Sequence, residues 1–237
     1  MTRIIDILEL IVDEIKKDNP YHLVLKGGTA LAFHHLARHR ESEDLDFDIP
    51  RQYDSLNKQI VEFLMAILSR LKADGKIEDF KIRKEGFSST DRYHMNIIII
   101  THRAFQTKFD LSYTEMPDDL ETEGELYFYT AQRMFVSKLL TFCSRQNLKD
   151  FFDIHHLLRK VEPDEFNNPI KIAELIDRVI TQCERKALNN NFKLAMRNLD
   201  LRFTNLKERD LGSFVEKTIK ELKAFRNELR RLNQSKS

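Results

Sequence analysis

The strongest constraint on the fold is a short segment in which aspartate alternates with large apolar residues. Residues 44–49 read Asp-Leu-Asp-Phe-Asp-Ile, and Pro50 follows. Because successive side chains of a β-strand point to opposite faces, this pattern predicts a strand with one buried face and one acidic face. Three aspartates on one face disfavour β-structure, which indicates a functional reason for them. The alternative is a solvated, acidic edge strand.

The residues around this segment alternate between helical and extended patterns. Apolar residues at helical spacing predict helices over 3–17 and 54–73, and a compact apolar stretch after two glycines predicts a third over 30–37. Further strands are predicted over 21–25, 80–84, 93–101 and 107–113. Four consecutive isoleucines, 97–100, suggest a strand covered on both faces.

The second half of the chain is helical in pattern. An acidic stretch over 114–126 that contains Pro117 is interpreted as a connection between the halves. Beyond it, helices are predicted over 131–146, 149–160, 169–186, 189–199 and 210–232. The predicted fold class is therefore α+β: a mixed sheet with flanking helices over residues 1–115, followed by a helical domain over 116–237.

Composition excludes several protein classes. Six glycines and five prolines among 237 residues are too few for a turn-dense all-β or linker-rich chain. Cys143 and Cys183 cannot form a disulfide framework and lack zinc-site spacing, so they suit a reducing compartment. No apolar run approaches the ~18 residues of a membrane span, and acidic residues interrupt the N-terminal segment. We expect a cytoplasmic protein with no membrane partner.

Charge is distributed unevenly along the chain. Residues 1–130 carry a net charge of −7 and residues 131–237 a net charge of +8, although the total is only +1. This asymmetry predicts an acidic, metal-binding front half and a basic back half that could meet a polyanion. The candidates for contacts with RNA phosphates lie in the last helix: Lys223, Arg226, Arg230 and Arg231. A solvated basic helix face is the alternative.

Two features could hold a nucleotide and metal ions. Gly27 and Gly28 follow a predicted strand and precede a helix, where bare backbone can approach a phosphate closely; a tight structural turn would look the same. Asp44 and Asp46 point to one face of the acidic strand, and a cation would relieve the repulsion between them. Oxygen ligands suit Mg²⁺, and two such ions can activate a hydroxyl and stabilise a leaving pyrophosphate.

A third carboxylate would complete such a site. Asp110 lies in the alternating segment 108–112, and on a neighbouring strand its side chain could reach the same ions. The alternative is an exposed strand aspartate with no ligand.

These residues carry a resemblance to a known family. The segments Lys26-Gly27-Gly28-Thr29-Ala30-Leu31 and Arg40-Glu41-Ser42-Glu43-Asp44-Leu45-Asp46-Phe47, with the later Asp110, resemble the signature of the nucleotidyltransferase superfamily. Downstream, Lys138, Arg145 and Lys149-Asp150-Phe151-Phe152-Asp153 are similar to the pattern of its AbiEii/AbiGii-type abortive-infection toxins. Lys149 stands where that pattern usually has arginine. The resemblance covers roughly residues 21–160.

The resemblance implies a nucleotidyltransferase-type sheet and transfer of a nucleoside monophosphate from an NTP to an acceptor hydroxyl. Two Mg²⁺ ions would act during turnover, with Mn²⁺ as a substitute. In such families the acceptor can be the 3′ end of tRNA, and a neighbouring antitoxin of transcription-regulator type restrains the enzyme. The expected role is therefore that of the toxin in a toxin–antitoxin or phage-defence system.

The resemblance also implies roles for individual residues. Asp44 and Asp46 would hold the metals, and Asp110 would complete that site and help to deprotonate the attacking hydroxyl. The nucleotide-binding residues would be Gly27, Gly28, Thr29, Ser42 and Lys138. Lys138 would pair with the triphosphate, while Asp150 would fix Lys138 or the nucleotide, with Asp153 behind it.

Two other functions stay open at this point. A catalytically degenerate module could bind an NTP or a partner without transferring anything. A two-metal nuclease would use the same carboxylates to cleave phosphodiesters.

Overall fold

The computed structural model describes residues 3–53, 56–89, 91–187 and 206–235. The helix predicted over 189–199 lies outside these residues. The chain divides into two units. The sheet unit consists of Met1–His34 and Ser42–Thr130, and the helical unit of His35–Glu41 and Ala131–Ser237.

The sheet unit is built on a mixed sheet. Its seven strands within the described residues are β1 (Val24–Lys26), β2 (Asp44–Pro50), β3 (Asp79–Ser89), β4 (Arg92–Ile100), β5 (Ala104–Thr114), β6 (Leu120–Glu123) and β7 (Leu126–Tyr129). Their spatial order is β3-β4-β5-β2-β1-β7-β6. β2 runs parallel to β5 and β1 runs parallel to β7, and the other neighbours are antiparallel. The predicted α+β class with a mixed sheet is confirmed.

Helices in this unit supply apolar faces. They are α1 (Ile4–Lys17), α2 (Gly27–Ala30), which continues as a π-helical turn over Leu31–His35, and α3 (Asn57–Ala73). α1 buries Ile5, Leu8, Ile11 and Ile15, which recur at the helical spacing seen in the sequence. α3 likewise buries Ile60, Leu64, Ile67 and Leu71.

Two predictions for this unit need correction. The isoleucine run of β4 is not covered on both faces: Ile97 and Ile99 are fully buried, while Ile98 and Ile100 are half-buried. The stretch read as a connection contains the hairpin β6–β7, whose Leu126 and Phe128 are fully buried. Because β7 pairs with β1, the sheet unit continues to Thr130 rather than ending at residue 115.

The helical unit contains α4 (Ala131–Arg145), α5 (Leu148–Leu157), α6 (Pro169–Ala187) and α7 (Leu211–Ser235). Asn147 caps α5, since its side-chain oxygen accepts a hydrogen bond of 2.8 Å from the backbone N–H of Lys149. The core of the helical unit is rich in phenylalanine: Phe135 packs edge-on against Phe225 at 5.8 Å between ring centres. No helix in the described part of the chain is long and apolar enough to cross a membrane.

Candidate active site

The predicted carboxylates lie on one face of the sheet. β2 and β5 are adjacent and parallel, with Asp46 opposite Asp110 in register. Residues in register on neighbouring strands share a face, and Asp44, two residues before Asp46, shares it too. The alternate residues of β2, Leu45 and Phe47, are completely buried on the other face. The structure thus brings Asp44, Asp46 and Asp110 to a common acidic face.

The glycine turn lies directly against this face. Lys26, the last residue of β1, pairs with Asp46, so Gly27 begins beside the carboxylate. Gly27 has a φ of +73°, in the region that favours glycine. A Cβ built on Gly27 would overlap Oδ2 of Asp46 and lie 3.2 Å from its Cγ. Only a residue without a side chain allows the backbone and this carboxylate to approach so closely.

Thr29 and Ser42 brace the turn against the acidic strand. The Thr29 hydroxyl donates to the backbone carbonyl of Asp44 and lies 2.8 Å from the Ser42 hydroxyl. Both residues are buried. Their side chains therefore hold the start of α2 to the start of β2, and their contact with a nucleotide stays a prediction.

Asp48, the third aspartate of β2, has a structural role. It is buried, accepts a hydrogen bond of 2.6 Å from the Tyr129 hydroxyl and forms an ion pair with Lys26. It thereby ties β2 to the residue that precedes Gly27 and to the end of β7. Sequence reasoning assigned no role to Lys26 or Tyr129, because their contacts join segments far apart in the chain.

Lys108 is a cation at the edge of the carboxylate group. Its side chain forms an ion pair with Asp110, and its backbone position is opposite Asp44 on β2. One positive charge partly offsets the repulsion among three carboxylates. Carboxylate oxygens are the ligands that Mg²⁺ prefers. Among the described residues, however, Asp44, Asp46 and Asp110 do not form a group whose oxygens all lie within 4.8 Å of one another, so their metal binding stays a prediction.

The helical unit contains a separate buried ion-pair network. Asp150 and Asp153 on α5 are completely buried. The Lys138 ammonium of α4 lies 3.2 Å from Asp150 and 2.8 Å from Asp153. The Arg145 guanidinium donates two hydrogen bonds to Asp150, at 2.7 and 2.9 Å. Two of the three N–H donors of Lys138 thus face carboxylates, and its predicted contact with a triphosphate stays a prediction.

The segment between α2 and β2 supplies the rest of this network. Arg40 donates to both oxygens of Asp153, at 2.6 and 2.8 Å, and His39 lies 2.7 Å from it. Reaching this position requires positive φ at two consecutive non-glycine residues, Ala37 and Arg38, which costs about 1 kcal/mol or more for each. The charge-assisted contacts at Asp153 offset that strain.

Charge within the network follows from its contacts. Burial would raise the pKa of Asp153, but the Lys138 charge and hydrogen bonds from Arg40 and His39 outweigh burial and hold this pKa well below its usual value. Burial lowers the pKa of His39, which favours its neutral ring. The network therefore contains three cations, on Arg40, Lys138 and Arg145. They are paired with the two carboxylates of Asp150 and Asp153.

The sheet order, the glycine turn beside an Asp-x-Asp strand and the third aspartate in register define a nucleotidyltransferase-like protein. Solved structures share the fold. JHP933 from Helicobacter pylori has 21% identity and a TM-score of 0.68, with 97% of this chain and 93% of that chain covered. MenT4, a nucleotidyltransferase toxin from Mycobacterium tuberculosis, has 12% identity and a TM-score of 0.51 over 79% of this chain and 66% of that one.

The family follows from the sequence match. The model of the nucleotidyl transferase AbiEii toxin family of type IV toxin–antitoxin systems matches residues 11–235, and the chain belongs to this family. The protein is therefore a nucleotidyltransferase, which confirms the resemblance found in the motifs. No curated protein matches the chain.

Proposed function

We propose that this toxin transfers a nucleoside monophosphate from an NTP to the 3′ hydroxyl of tRNA, in a reaction that requires Mg²⁺. The observation that carries the proposal is that the Asp46 carboxylate overlaps the position a Cβ of Gly27 would take, with Asp110 in register on the neighbouring strand. A triphosphate held at a bare backbone turn beside carboxylates suits nucleotide transfer.

Each residue of the acidic face has a task in this reaction. Asp44 and Asp46 hold the metal ions, with Asp110 as the third carboxylate. The backbone N–H groups that follow Gly27 bind phosphate oxygens, and Lys26 and Asp48 fix the turn that presents them. Asp110 accepts the proton of the acceptor hydroxyl as the hydroxyl oxygen attacks the α-phosphate and pyrophosphate leaves. Bound Mg²⁺ supplies positive charge that stabilises the developing negative charge on the phosphates.

The cellular setting is part of the proposal. The toxin acts in the cytoplasm, where NTPs and tRNA are present. A cognate antitoxin of transcription-regulator type restrains it.

The proposal is tested by incubating the protein with each labelled NTP, total tRNA and Mg²⁺. We expect label at the 3′ end of tRNA with at least one NTP, and none when EDTA replaces Mg²⁺. Asp46→Asn, which keeps the side-chain shape, is the matched control and should abolish labelling while retaining the circular dichroism spectrum. Absence of label from RNA with every NTP would refute the proposal, and shortening of RNA without NTP would indicate a nuclease instead.

Lys108 gives a separate prediction about metal affinity. Because its ammonium pairs with Asp110, a metal ion must displace it and bind against its positive charge. Lys108→Met should tighten Mg²⁺ binding in the absence of NTP and RNA by about tenfold, corresponding to ~1.4 kcal/mol. Calorimetric titration with Mg²⁺ measures this directly. Lys81→Met, on β3 and away from the carboxylates, is the control, and an equal effect in both variants would contradict the prediction.

A further inference from the structure

Two lysines with an asparagine between them form a row across the sheet that ends at the carboxylates. Lys84 on β3 is opposite Asn96 on β4, Asn96 is opposite Lys108 on β5, and Lys108 is opposite Asp44 on β2. Residues paired in this way share a face, so the row lies on the same face as the candidate active site. At ~4.8 Å per strand, Lys84 lies roughly 14 Å from the Asp44 strand.

Other basic residues lie beside this row. Lys81 is opposite Ile98, and Arg92 is opposite Ser112, which places both on the acidic face. Arg83 sits at a break in the β3–β4 register and donates a 3.4 Å hydrogen bond to Gln106 of β5. We call this surface the basic face; its residues are Lys81, Arg83, Lys84, Arg92 and Lys108.

The half-chain charge totals hide this surface. Residues 1–130 are acidic overall, yet residues 80–109 contain six lysines and arginines and only two acidic residues. Lys81, Arg83, Lys84 and Arg92 are all exposed. Among the residues that the structure describes, Lys84 and Arg92 form no ion pair and no hydrogen bond through their side chains.

Three of the basic residues of α7 that are predicted to contact RNA form ion pairs instead of being unpaired. Arg226 of α7 forms a 2.6 Å ion pair with Asp177, and Arg230 pairs with the same carboxylate. Lys223 lies 2.7 Å from Glu184. These three side chains therefore already have carboxylate partners, unlike Lys84 and Arg92.

We propose that the basic face binds the phosphate backbone of the acceptor RNA and leads its 3′ end to Asp46 and Asp110. This inference rests on the proposed function, because it assigns the acceptor to that same site. Lysine and arginine neutralise phosphates and release counterions, which suits the four exposed cations of the basic face. The row ends at the carboxylates where the attacking hydroxyl must lie, and this continuity favours RNA over an acidic protein.

The chemistry of the face also predicts how RNA is recognised. Its described side chains are basic, polar or aliphatic, with Asn96, His94 and Ile98 half-buried between the cations. No phenylalanine, tyrosine or tryptophan is among the described residues that strand pairing places on this face, so we expect phosphate contacts to dominate over base stacking. Binding should therefore depend strongly on salt and weakly on the sequence next to the RNA end.

The test compares two double variants that each remove two exposed positive charges. Lys84→Ala/Arg92→Ala removes charge from the basic face, and Lys160→Ala/Lys171→Ala removes it from the helical unit. Binding of labelled tRNA is measured by fluorescence anisotropy across a salt series, without NTP. We expect the first variant to bind about tenfold more weakly, with a slope of log K against log salt reduced by about 1.4, and the control to bind like wild type.

Kinetics provide a second readout. In the transfer assay, Lys84→Ala/Arg92→Ala should raise the KM for tRNA about tenfold and leave the KM for NTP unchanged. The inference is overturned if this variant binds tRNA with wild-type affinity and salt slope, or if the control variant weakens binding equally. It is also overturned if polyglutamate competes for the basic face as well as tRNA does, since an acidic protein would then fit it.

Failure of the proposed function gives a distinct pattern. If wild-type protein transfers no nucleotide to RNA, that function fails, whereas the anisotropy arm still decides whether the basic face binds RNA.

Discussion

Gly27→Ala should reduce nucleotide transfer at least a hundredfold while leaving the protein folded. The new methyl group would occupy the position of the Asp46 carboxylate, which therefore has to move. A displacement of about 1 Å in a catalytic group can cost roughly 10²-fold in rate. Initial rates of label transfer to tRNA at saturating NTP and Mg²⁺ measure the loss.

Gly75→Ala is the matched control for this substitution. Gly75 also has a positive φ, +68°, but a Cβ there would meet nothing within 4 Å. Both substitutions therefore incur the backbone cost of a non-glycine residue at positive φ, of order 1 kcal/mol, and only Gly27→Ala disturbs the carboxylate. Equal transfer rates in the two variants would show that the glycine turn does not position Asp46.

The sequence predicts the acidic strand well because the pattern that specifies it lies within a single short segment. Alternation over 44–49 specifies which side chains share a face, and burial of Leu45 and Phe47 follows from it. Asp110 is found by the same two-residue period in 108–112. The pairing of Asp46 with Asp110 depends instead on the order of strands, which no spacing within one segment determines.

Local sequence patterns do not predict short edge strands or contacts between segments far apart in the chain. The hairpin of β6 and β7 is missed because β6 is a four-residue edge strand, Leu-Glu-Thr-Glu, that reads as acidic loop. Arg40 lies inside the quoted motif, yet nothing in its neighbourhood predicts a bond to Asp153, 113 residues away.

Net charge summed over half of the chain also fails to predict where the cations lie on the surface. The net charge of 130 residues suggested an acidic half, although strand pairing gathers Lys81, Lys84 and Arg92 on one face. Conversely, Arg226 and Arg230 of the basic C-terminal half pair with Asp177 of α6, so neither side chain is free of a carboxylate partner. A polyanion responds to the local arrangement of cations, which only the pairing of strands and helices reveals.

Asp153→Asn should destabilise the helical unit by about 3–5 kcal/mol, the usual cost of removing one partner from a buried ion pair. The Asp153 carboxylate is completely buried and contacts Arg40, Lys138 and His39. Asparagine keeps the shape but leaves Arg40 and Lys138 with only the charge of Asp150 to compensate them. Urea unfolding followed by far-UV circular dichroism measures the loss, with hydrogen exchange of α5 peptides assigning it to this unit.

Glu184→Gln provides the control, since it removes a carboxylate from an exposed ion pair with Lys223 in the same unit. Such pairs contribute about 0–1 kcal/mol, so this variant should unfold near the wild-type midpoint.

The pH dependence of stability gives a further test of the Asp153 network. Because the folded pKa of Asp153 lies below its usual 3.8, its contribution is complete above that value and is lost only as pH falls further. Wild type and Asp153→Asn should therefore differ at neutral pH and converge in strong acid, and equal stability of the two at neutral pH would show that the network does not stabilise the fold.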